Sequence, residues 1–394
     1  QGRAGPALAI AALASFFAGC VGTLLIAVVG PPLGEWALAF GPWEYCALMT
    51  MGLVGSAVLT QGDAVKGLAM VALGLLLGLV GADVNSGLAR YAFGVPELWD
   101  GIGFTVIAVG LFAVAEIVIN LESNQTRKVF TDRVPRLMPS GADLKDASWP
   151  TVRGTVVGSL FGILPGTGPA LSSFAAYMLE KKLSRDPSRF GKGAIEGVAA
   201  PEAANNAAAQ TGFIPTLTLG IPGSAVMALL VGAMIMQGLT PGPGVISEKP
   251  ELFWGIVASM WIGNLMLLVL NLPLVGLWVR LLRVPYRWLF PSIVMFCALG
   301  NYSVSNNPVD VYLCAGIGVL GYVLAKLDCE PAPLLLGYVL GPLLEEHLRR
   351  AMLLARGDPT PFFTRPISLA FMIGTALVLV AVVAPALRRR PRAM

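Results

Sequence analysis

Residues 151–182 read TVRGTVVGSLFGILPGTGPALSSFAAYMLEKK, and the way this stretch meets a membrane decides the fold. Two apolar segments, Thr151–Ile163 and Ala170–Leu179, flank the break Leu164-Pro165-Gly166-Thr167-Gly168-Pro169. Each is shorter than the ~20 apolar residues that cross a bilayer comfortably. Basic loops lie on both sides. Glu122–Ser148 holds Arg127, Lys128, Arg133, Arg136 and Lys145, and Lys181–Lys192 holds Lys181, Lys182, Arg185, Arg189 and Lys192. Short basic loops stay cytoplasmic. A re-entrant hairpin with its tip at 164–169 satisfies length and charge together; the alternative is a simple loop between two spans.

The rest of the chain supplies the membrane. Of 394 residues, 56% are hydrophobic and 13% charged, against about 25% charged in soluble domains. Candidate spans are Leu8–Val29, Tyr45–Leu59, Gly67–Gly81, Gly101–Asn120, Phe253–Val279, Leu289–Gly300, Val311–Ala325 and Ile367–Leu387. The loops Pro31–Pro42 and Thr240–Pro250 are poor in Lys and Arg and read as periplasmic, whereas Arg280–Arg287 reads as cytoplasmic. Gly193–Leu239 must then cross once, as a helix broken at Gly220-Ile221-Pro222-Gly223. One region resists this map. Arg349, Arg350, Arg356 and Arg365 precede the last span, Arg388, Arg389, Arg390 and Arg392 follow it, and one crossing cannot put both sets inside. The side of the C-terminus stays open.

The chain also repeats itself. Ser15-Phe16-Phe17-Ala18-Gly19 matches Ser259-Met260-Trp261-Ile262-Gly263, Pro31 and Pro32 match Pro273, Trp36 matches Trp278, and Pro42 matches Pro285. The charge map places matched loops on opposite sides, which makes the repeat inverted, an architecture of secondary transporters. The expected fold is an all-α polytopic membrane protein: an inverted-repeat secondary transporter with a re-entrant hairpin and broken helices. Residues 1–120 form the remainder of a first repeat, 121–148 a cytoplasmic linker, and 149–394 the second repeat with its re-entrant and broken-helix segment 151–240. The symmetry predicts about 100 further residues before Gln1, carrying a second Gly-Pro tip.

Irregular backbone at membrane depth survives where it is buried in protein or lines a wet cavity. Helix starts there suit an anion, and unwound carbonyls suit a cation. The candidate substrate- or ion-binding residues are therefore Pro165, Gly166, Thr167, Gly168, Ser172 and Ser173 at the tip, and Thr218, Gly220, Pro222, Gly223 and Ser224 at the second break. A third group is Glu202, Asn205 and Asn206, costly polar residues in the alanine-rich run 199–209. For Glu202 the alternative is an interfacial position near Lys192, and for the second break a proline-kinked helix. Glu196 reads as interfacial, Glu116 lacks an evident partner, and Asn264 and Asn271 share one helix face as candidate helix–helix contacts. The coupling ion is sodium or a proton, with a sodium site at the same breaks as one option; no cofactor or metal is expected. His347 is the single histidine, and Cys20, Cys46, Cys297, Cys314 and Cys329 show no CxxC spacing, so a structural zinc site is disfavoured and the cysteines read as small apolar residues. No Gly-rich phosphate loop ending in Lys-Ser/Thr is present. The net charge of +4 gives no nucleic-acid footprint.

Three stretches carry a family likeness: Gly162-Ile163-Leu164-Pro165-Gly166-Thr167-Gly168, residues Lys192–Ala207, and Leu219-Gly220-Ile221-Pro222-Gly223-Ser224, with support from Gly337–Arg350 and Arg356-Gly357-Asp358-Pro359. The chain resembles the large membrane subunit of tripartite tricarboxylate transporters, the TctA family. The resemblance implies a multi-pass protein of the bacterial cell inner membrane, working with a small membrane subunit (TctB-like) and an extracytoplasmic solute-binding protein (TctC-like). It implies uptake of tricarboxylates or related carboxylates driven by an ion gradient. Family members usually begin with another Leu-Pro-Gly-type motif, which this chain lacks. A membrane-embedded enzyme and a channel are the competing readings; the scarcity of histidine speaks against the first, the inverted repeat against the second.

Overall fold

The computed structural model describes residues 3–58, 63–83, 86–122, 138–164, 168–274 and 286–388. Helices follow one another along the chain: α1 Ala4–Ala37, α2 Pro42–Val58, α3 Ala64–Gly78, α4 Phe104–Glu122, α5 Gly141–Ile163, α6 Gly168–Leu183 and α7 Glu196–Thr211. After them come α8 Phe213–Leu219, α9 Ala225–Met236, α10 Pro250–Asn271, α11 Tyr286–Ser305, α12 Pro308–Lys326, α13 Pro331–Leu354 and α14 Pro366–Arg388. Among the described residues the strands are one short pair, β1 Gly81–Ala82 against β2 Ala89–Arg90. Among the described residues, five helices are long and apolar enough to cross a membrane: α1, α4, α10, α11 and α12. Their outward faces carry large apolar side chains, such as Leu24 (54% exposed) and Ile262 (62%). Water does not tolerate such continuous apolar faces, and lipid does. The fold is that of an all-α polytopic membrane protein.

Two details differ from the sequence expectation. The helix containing Leu8–Val29 continues through Pro31 and Pro32 to Ala37, so the expected loop shrinks to a few residues. Two prolines remove two N–H donors without stopping the helix. Second, Pro331–Leu354 is a full helix, α13, that hydropathy does not reveal because Glu345, Glu346, Arg349 and Arg350 load its last turns.

The chain forms two compact units. The first comprises Gln1–Leu38, Arg127–Met227 and Leu239–Val284; the second comprises Ala39–Thr126, Ala228–Gly238 and Pro285–Met394.

In the first unit α7 is the hub, packed by α1, α5 and α6. Its Ala199, Ala200, Ala203, Ala204 and Ala207 have no exposed surface. Against them α5 presents Gly154, Gly158 and Gly162, spaced four apart on one face. A Cβ at Gly154 would stand 2.2 Å from the Ala200 carbonyl oxygen, one at Gly158 2.2 Å from that of Ala204, and one at Gly162 2.5 Å from that of Ala208. The two backbones touch directly, the close approach that small residues permit between membrane helices. α5 and α6 form an antiparallel hairpin. Arg153 near its open end donates to Glu180 Oε1 at 2.5 Å and Oε2 at 2.8 Å. α10 packs antiparallel on α1, with Asn264 at Gly19 and Phe253 at Gly30. The matched segments Ser15–Gly19 and Ser259–Gly263 thus lie on oppositely directed, touching helices.

The second unit has a core of Leu53, Val71, Val106, Ile107, Leu335 and Leu340 with their neighbours. α3 and α13 meet at glycine: Cβ atoms at Gly74 and Gly337 would fall 2.0 Å and 2.5 Å from the carbonyl oxygens of Leu334 and Val71. Inside α4, Val109–Val114 forms a π-helical turn, and Gly110 there seats against Ile317 of α12. Polar contacts gather at two opposite ends of these helices. At one end Arg90 takes Glu345 in a bidentate pair (2.7 and 3.1 Å), Arg349 joins Asp83 and Glu345, and Arg365 pairs with Glu44. At the other, Lys326 pairs with Glu122 at 2.5 Å and Lys66 donates to the Leu327 carbonyl at 2.7 Å. The arginines before the last helix are therefore largely committed to acids, which the charge count alone could not show.

Candidate binding site at two helix breaks

The tip residues Pro165, Gly166 and Thr167 lie outside the described residues. What flanks them is clear. α5 ends at Ile163, and α6 restarts at Gly168, whose φ of +59° suits a residue without a Cβ. The second break follows α8. Gly220 closes that helix in the left-handed region (φ +72°), and its Cβ position lies 2.8 Å from the Pro241 carbonyl oxygen, so both conformation and space call for glycine. Ile221, Pro222 and Gly223 are buried. Ser224 heads α9, accepting the Met227 N–H at 3.3 Å as a helix cap does.

The two breaks come together. The Cβ position of Gly168 is 3.8 Å from Ser224 Cβ, and that of Gly223 is 3.5 Å from the Gly162 carbonyl oxygen and 3.6 Å from that of Leu164. The starts of α6 and α9 and the end of α5 thus share one neighbourhood. Free N–H groups at two helix starts favour an anion, and free carbonyls at a helix end favour a cation. No Lys, Arg, Asp or Glu occurs in 154–179 or 203–247, so backbone and neutral polar groups set the electrostatics here.

The named hydroxyls divide by role. Ser172 Oγ donates to the carbonyls of Pro169 (2.7 Å) and Ala204 (3.2 Å). Ser173 Oγ donates to those of Pro169 (2.9 Å) and Pro201 (3.0 Å). Both tie α6 to α7. Thr218 is fully buried and donates to the Ile214 carbonyl of its own helix at 2.7 Å. Thr216, the other hydroxyl ahead of the break, reaches into it, donating to Gly212 O at 2.7 Å and Ile221 O at 3.4 Å.

On α7 the polar residues point different ways. Asn206 donates from Nδ2 to Ser15 Oγ at 2.8 Å, and Ser15 Oγ donates to Glu202 Oε1 at 3.0 Å. Both therefore face α1. Asn205 sits one turn beyond Pro201, on the face that meets α6. Because α6 and α7 run antiparallel with Ser173 at Pro201, Asn205 is level with the start of α6. Its amide makes no hydrogen bond to a described residue, and it is half-buried. Of the polar residues expected on α7, Asn205 is the one left uncommitted beside the breaks.

Other expectations are sorted as well. Glu196 pairs with Arg189 at 3.4 Å, and Asp186 in the same loop is held below the ordinary carboxyl range by the hydroxyl and N–H of Ser188. Glu116 has a partner after all, accepting from Asn120 at 2.9 Å. Asn264 is buried between helices, whereas Asn271 is exposed and donates to the Leu267 carbonyl of its own helix; the helix–helix contact expectation holds for Asn264 alone. Cys46 and Cys314 are buried, the other three cysteines half-buried, and all are free. His347 stacks on Tyr45 with ring centroids 4.9 Å apart.

Discontinuous helices meeting inside a helical membrane protein are an arrangement found in secondary transporters. Comparison with known proteins names the group. The profile of the tripartite tricarboxylate transporter TctA family matches residues 1–336, and the chain belongs to that family. It is 57% identical over 391 residues to an Agrobacterium vitis protein described as an uncharacterized 52.8 kDa protein in the TAR-I ttuC' 3' region, covering 99% of this chain and 78% of that one. It is 66% identical over 223 residues to a second A. vitis protein, described from the TAR-II ttuC' 3' region, covering 57% of this chain and 92% of that one. No solved structure matches. The family is that of a subunit of tripartite tricarboxylate transporters.

Proposed function

We propose that the protein is the large membrane subunit of a binding-protein-dependent secondary transporter that takes up tricarboxylates or related organic carboxylates, driven by an ion gradient. Its partners are a TctB-like small membrane subunit and a TctC-like extracytoplasmic solute-binding protein, and it sits in the bacterial cell inner membrane. The observation that carries this reading is the meeting of Gly168 and Ser224, which sets two helix starts side by side in a stretch without charged side chains. A substrate carboxylate there accepts backbone N–H groups, with Asn205 donating from α7, while the Gly162 carbonyl near the end of α5 suits an accompanying cation. The catalytic alternative finds no nucleophile–base pair among the described residues at this position. The test is uptake of a panel of labelled di- and tricarboxylates by the full transporter with its partner subunits, with and without sodium and proton gradients. No uptake of any carboxylate by the complete system overturns the reading.

The second unit also supports an orientation. The Lys326–Glu122 end adjoins the basic loop that follows Glu122, and so faces the cytoplasm; the Asp83, Arg90, Glu345 and Arg349 end faces outward. With α13 counted as a crossing, α14 runs inward and leaves Arg388, Arg389, Arg390 and Arg392 in the cytoplasm. Of the arginines on that outer side, Arg349, Arg350 and Arg365 are paired with acids.

A further inference from the structure

The loop joining α3 to α4 is tied down at several points. β1 pairs with β2 at its base, the Ala82 N–H donates to the Trp99 carbonyl at 2.8 Å, and Asp83 accepts from the N–H and hydroxyl of Ser86. Arg90 locks the loop to α13 through both oxygens of Glu345. Two further turns close on themselves, Val95 N–H donating to the Ala92 carbonyl at 2.8 Å and Gly101 N–H to that of Leu98 at 3.1 Å. This frame leaves its large apolar side chains uncovered: Phe93 is 85% exposed, Leu88 70%, Trp99 58% and Tyr91 55%.

Two observations set these side chains apart from those that face lipid. The first is backbone strain. Tyr91 and Phe93 have φ of +50° and +49°, in the left-handed region that a bulky residue seldom adopts. Such strain persists where the surrounding structure imposes it, and it gathers at sites that clamp a ligand. A headgroup layer accepts an aromatic ring from any backbone, so lipid alone does not call for it. The second is charge. Glu97 and Asp100 are exposed on either side of Leu98 and Trp99, and Arg90, the one base between Gly67 and Thr126, is engaged by Glu345 and Asp83. Segments drawn to a membrane surface carry Lys or Arg; this loop presents acids. Rigidly held Tyr and Trp anchors are the means of a protein interface, because little freedom is lost on binding, and acids near them select a basic partner and speed its approach.

Resting on the transport reading and the orientation above, we propose that this loop is the docking surface for the extracytoplasmic solute-binding protein, with Tyr91, Phe93 and Trp99 as anchors and Glu97 and Asp100 as the charges that guide it. The matching face of the partner is an apolar hollow with Lys or Arg at its edge. Because Arg90 ties the loop to α13, the anchors keep one relation to the helices of the second unit, and the partner is seated in one orientation.

The test uses the complete transporter in lipid vesicles with the purified solute-binding protein. Tyr91→Asn and Phe93→Asn remove an anchor and place there a residue that tolerates the left-handed region, so both variants should melt at or above the wild-type temperature. Each should weaken binding of the solute-binding protein about tenfold or more. Glu97→Gln with Asp100→Asn should slow association and flatten its dependence on salt. A nitroxide attached from outside to Phe93→Cys with an impermeant reagent reads the surroundings directly. It should meet a water-soluble nickel chelate in the free transporter and become immobilised when the solute-binding protein is added. Wild-type affinity in both Tyr91→Asn and Phe93→Asn overturns the proposal, as does a nitroxide that stays mobile under saturating binding protein. A nitroxide reached by oxygen dissolved in lipid and not by nickel overturns it too, and makes the loop a membrane anchor. If wild type takes up no carboxylate, the transport reading fails, and the nitroxide still decides whether the binding protein sits on this loop.

Discussion

Arg349, near the end of α13, donates to Asp83 Oδ2 at 2.7 Å across 266 residues of chain. Asp83 is 5% exposed and has Arg90 as a second partner at 3.3 Å, so the contact closes a polar cluster over an apolar core. Arg349→Ala should lower stability by about 1–3 kcal/mol, since a buried acceptor loses a charged donor. The double variant Asp83→Asn with Arg349→Ala should recover part of that loss. Thermal unfolding of the purified protein reads both.

The same cluster marks one end of the second unit, and the orientation proposed from it puts the C-terminus in the cytoplasm. A reporter fused after Met394 should be active in the cytoplasm, and a cysteine placed at Ser86 should react with an impermeant thiol reagent from outside. A C-terminal reporter active only in the periplasm would reverse the orientation.

The α5–α7 seam leaves no space for a methyl group. Gly158→Ala places a Cβ 2.2 Å from the Ala204 carbonyl oxygen, and the forced separation should cost about 1–3 kcal/mol or more. Gly263→Ala, where a Cβ meets nothing within 4 Å, is the control; it should be neutral or gain up to about 1 kcal/mol. Equal melting temperatures for the two variants would contradict the seam.

Asn205→Ala and Thr218→Ala should part company. Asn205 has no hydrogen bond to lose within the described structure, so its variant should fold normally and lose carboxylate uptake. Thr218 serves its own helix, so its variant should keep uptake and lose about 1 kcal/mol of stability. Uptake assays and unfolding on the same preparations separate the outcomes.

Gly220→Ala combines a left-handed backbone with a 2.8 Å clash against Pro241. The backbone alone costs roughly 1–2 kcal/mol. Transport should be lost even where membrane insertion is normal, as measured by uptake against protein abundance.

Much of this was legible in the sequence for a physical reason: lipid demands long apolar runs, so the helices from α1 to α4 and from α10 to α12 announce themselves. Gly220-Ile221-Pro222-Gly223 was equally plain, because glycine and proline together end helices. α13 was hidden because Glu345 and Arg349 lower its hydropathy, and their partners Arg90 and Asp83 lie far away in sequence. The glycines at 154, 158 and 162 did carry a readable four-residue spacing, but the matching alanines of α7 gain meaning once the two helices are seen to touch. Residue type named Ser172, Ser173 and Thr218 as candidate ligands; only geometry showed that their hydroxyls already serve backbone carbonyls.

The glycine seam has a mechanical consequence. Where α5 meets α7 through bare backbone, no side-chain layer lies between them to deform, and the Arg153–Glu180 pair clasps α6 to the same body. Where α7 meets α1, the link passes through Ser15, Asn206 and Glu202, whose bonds can be exchanged. The first unit is stiff on one side of its hub and able to slip on the other.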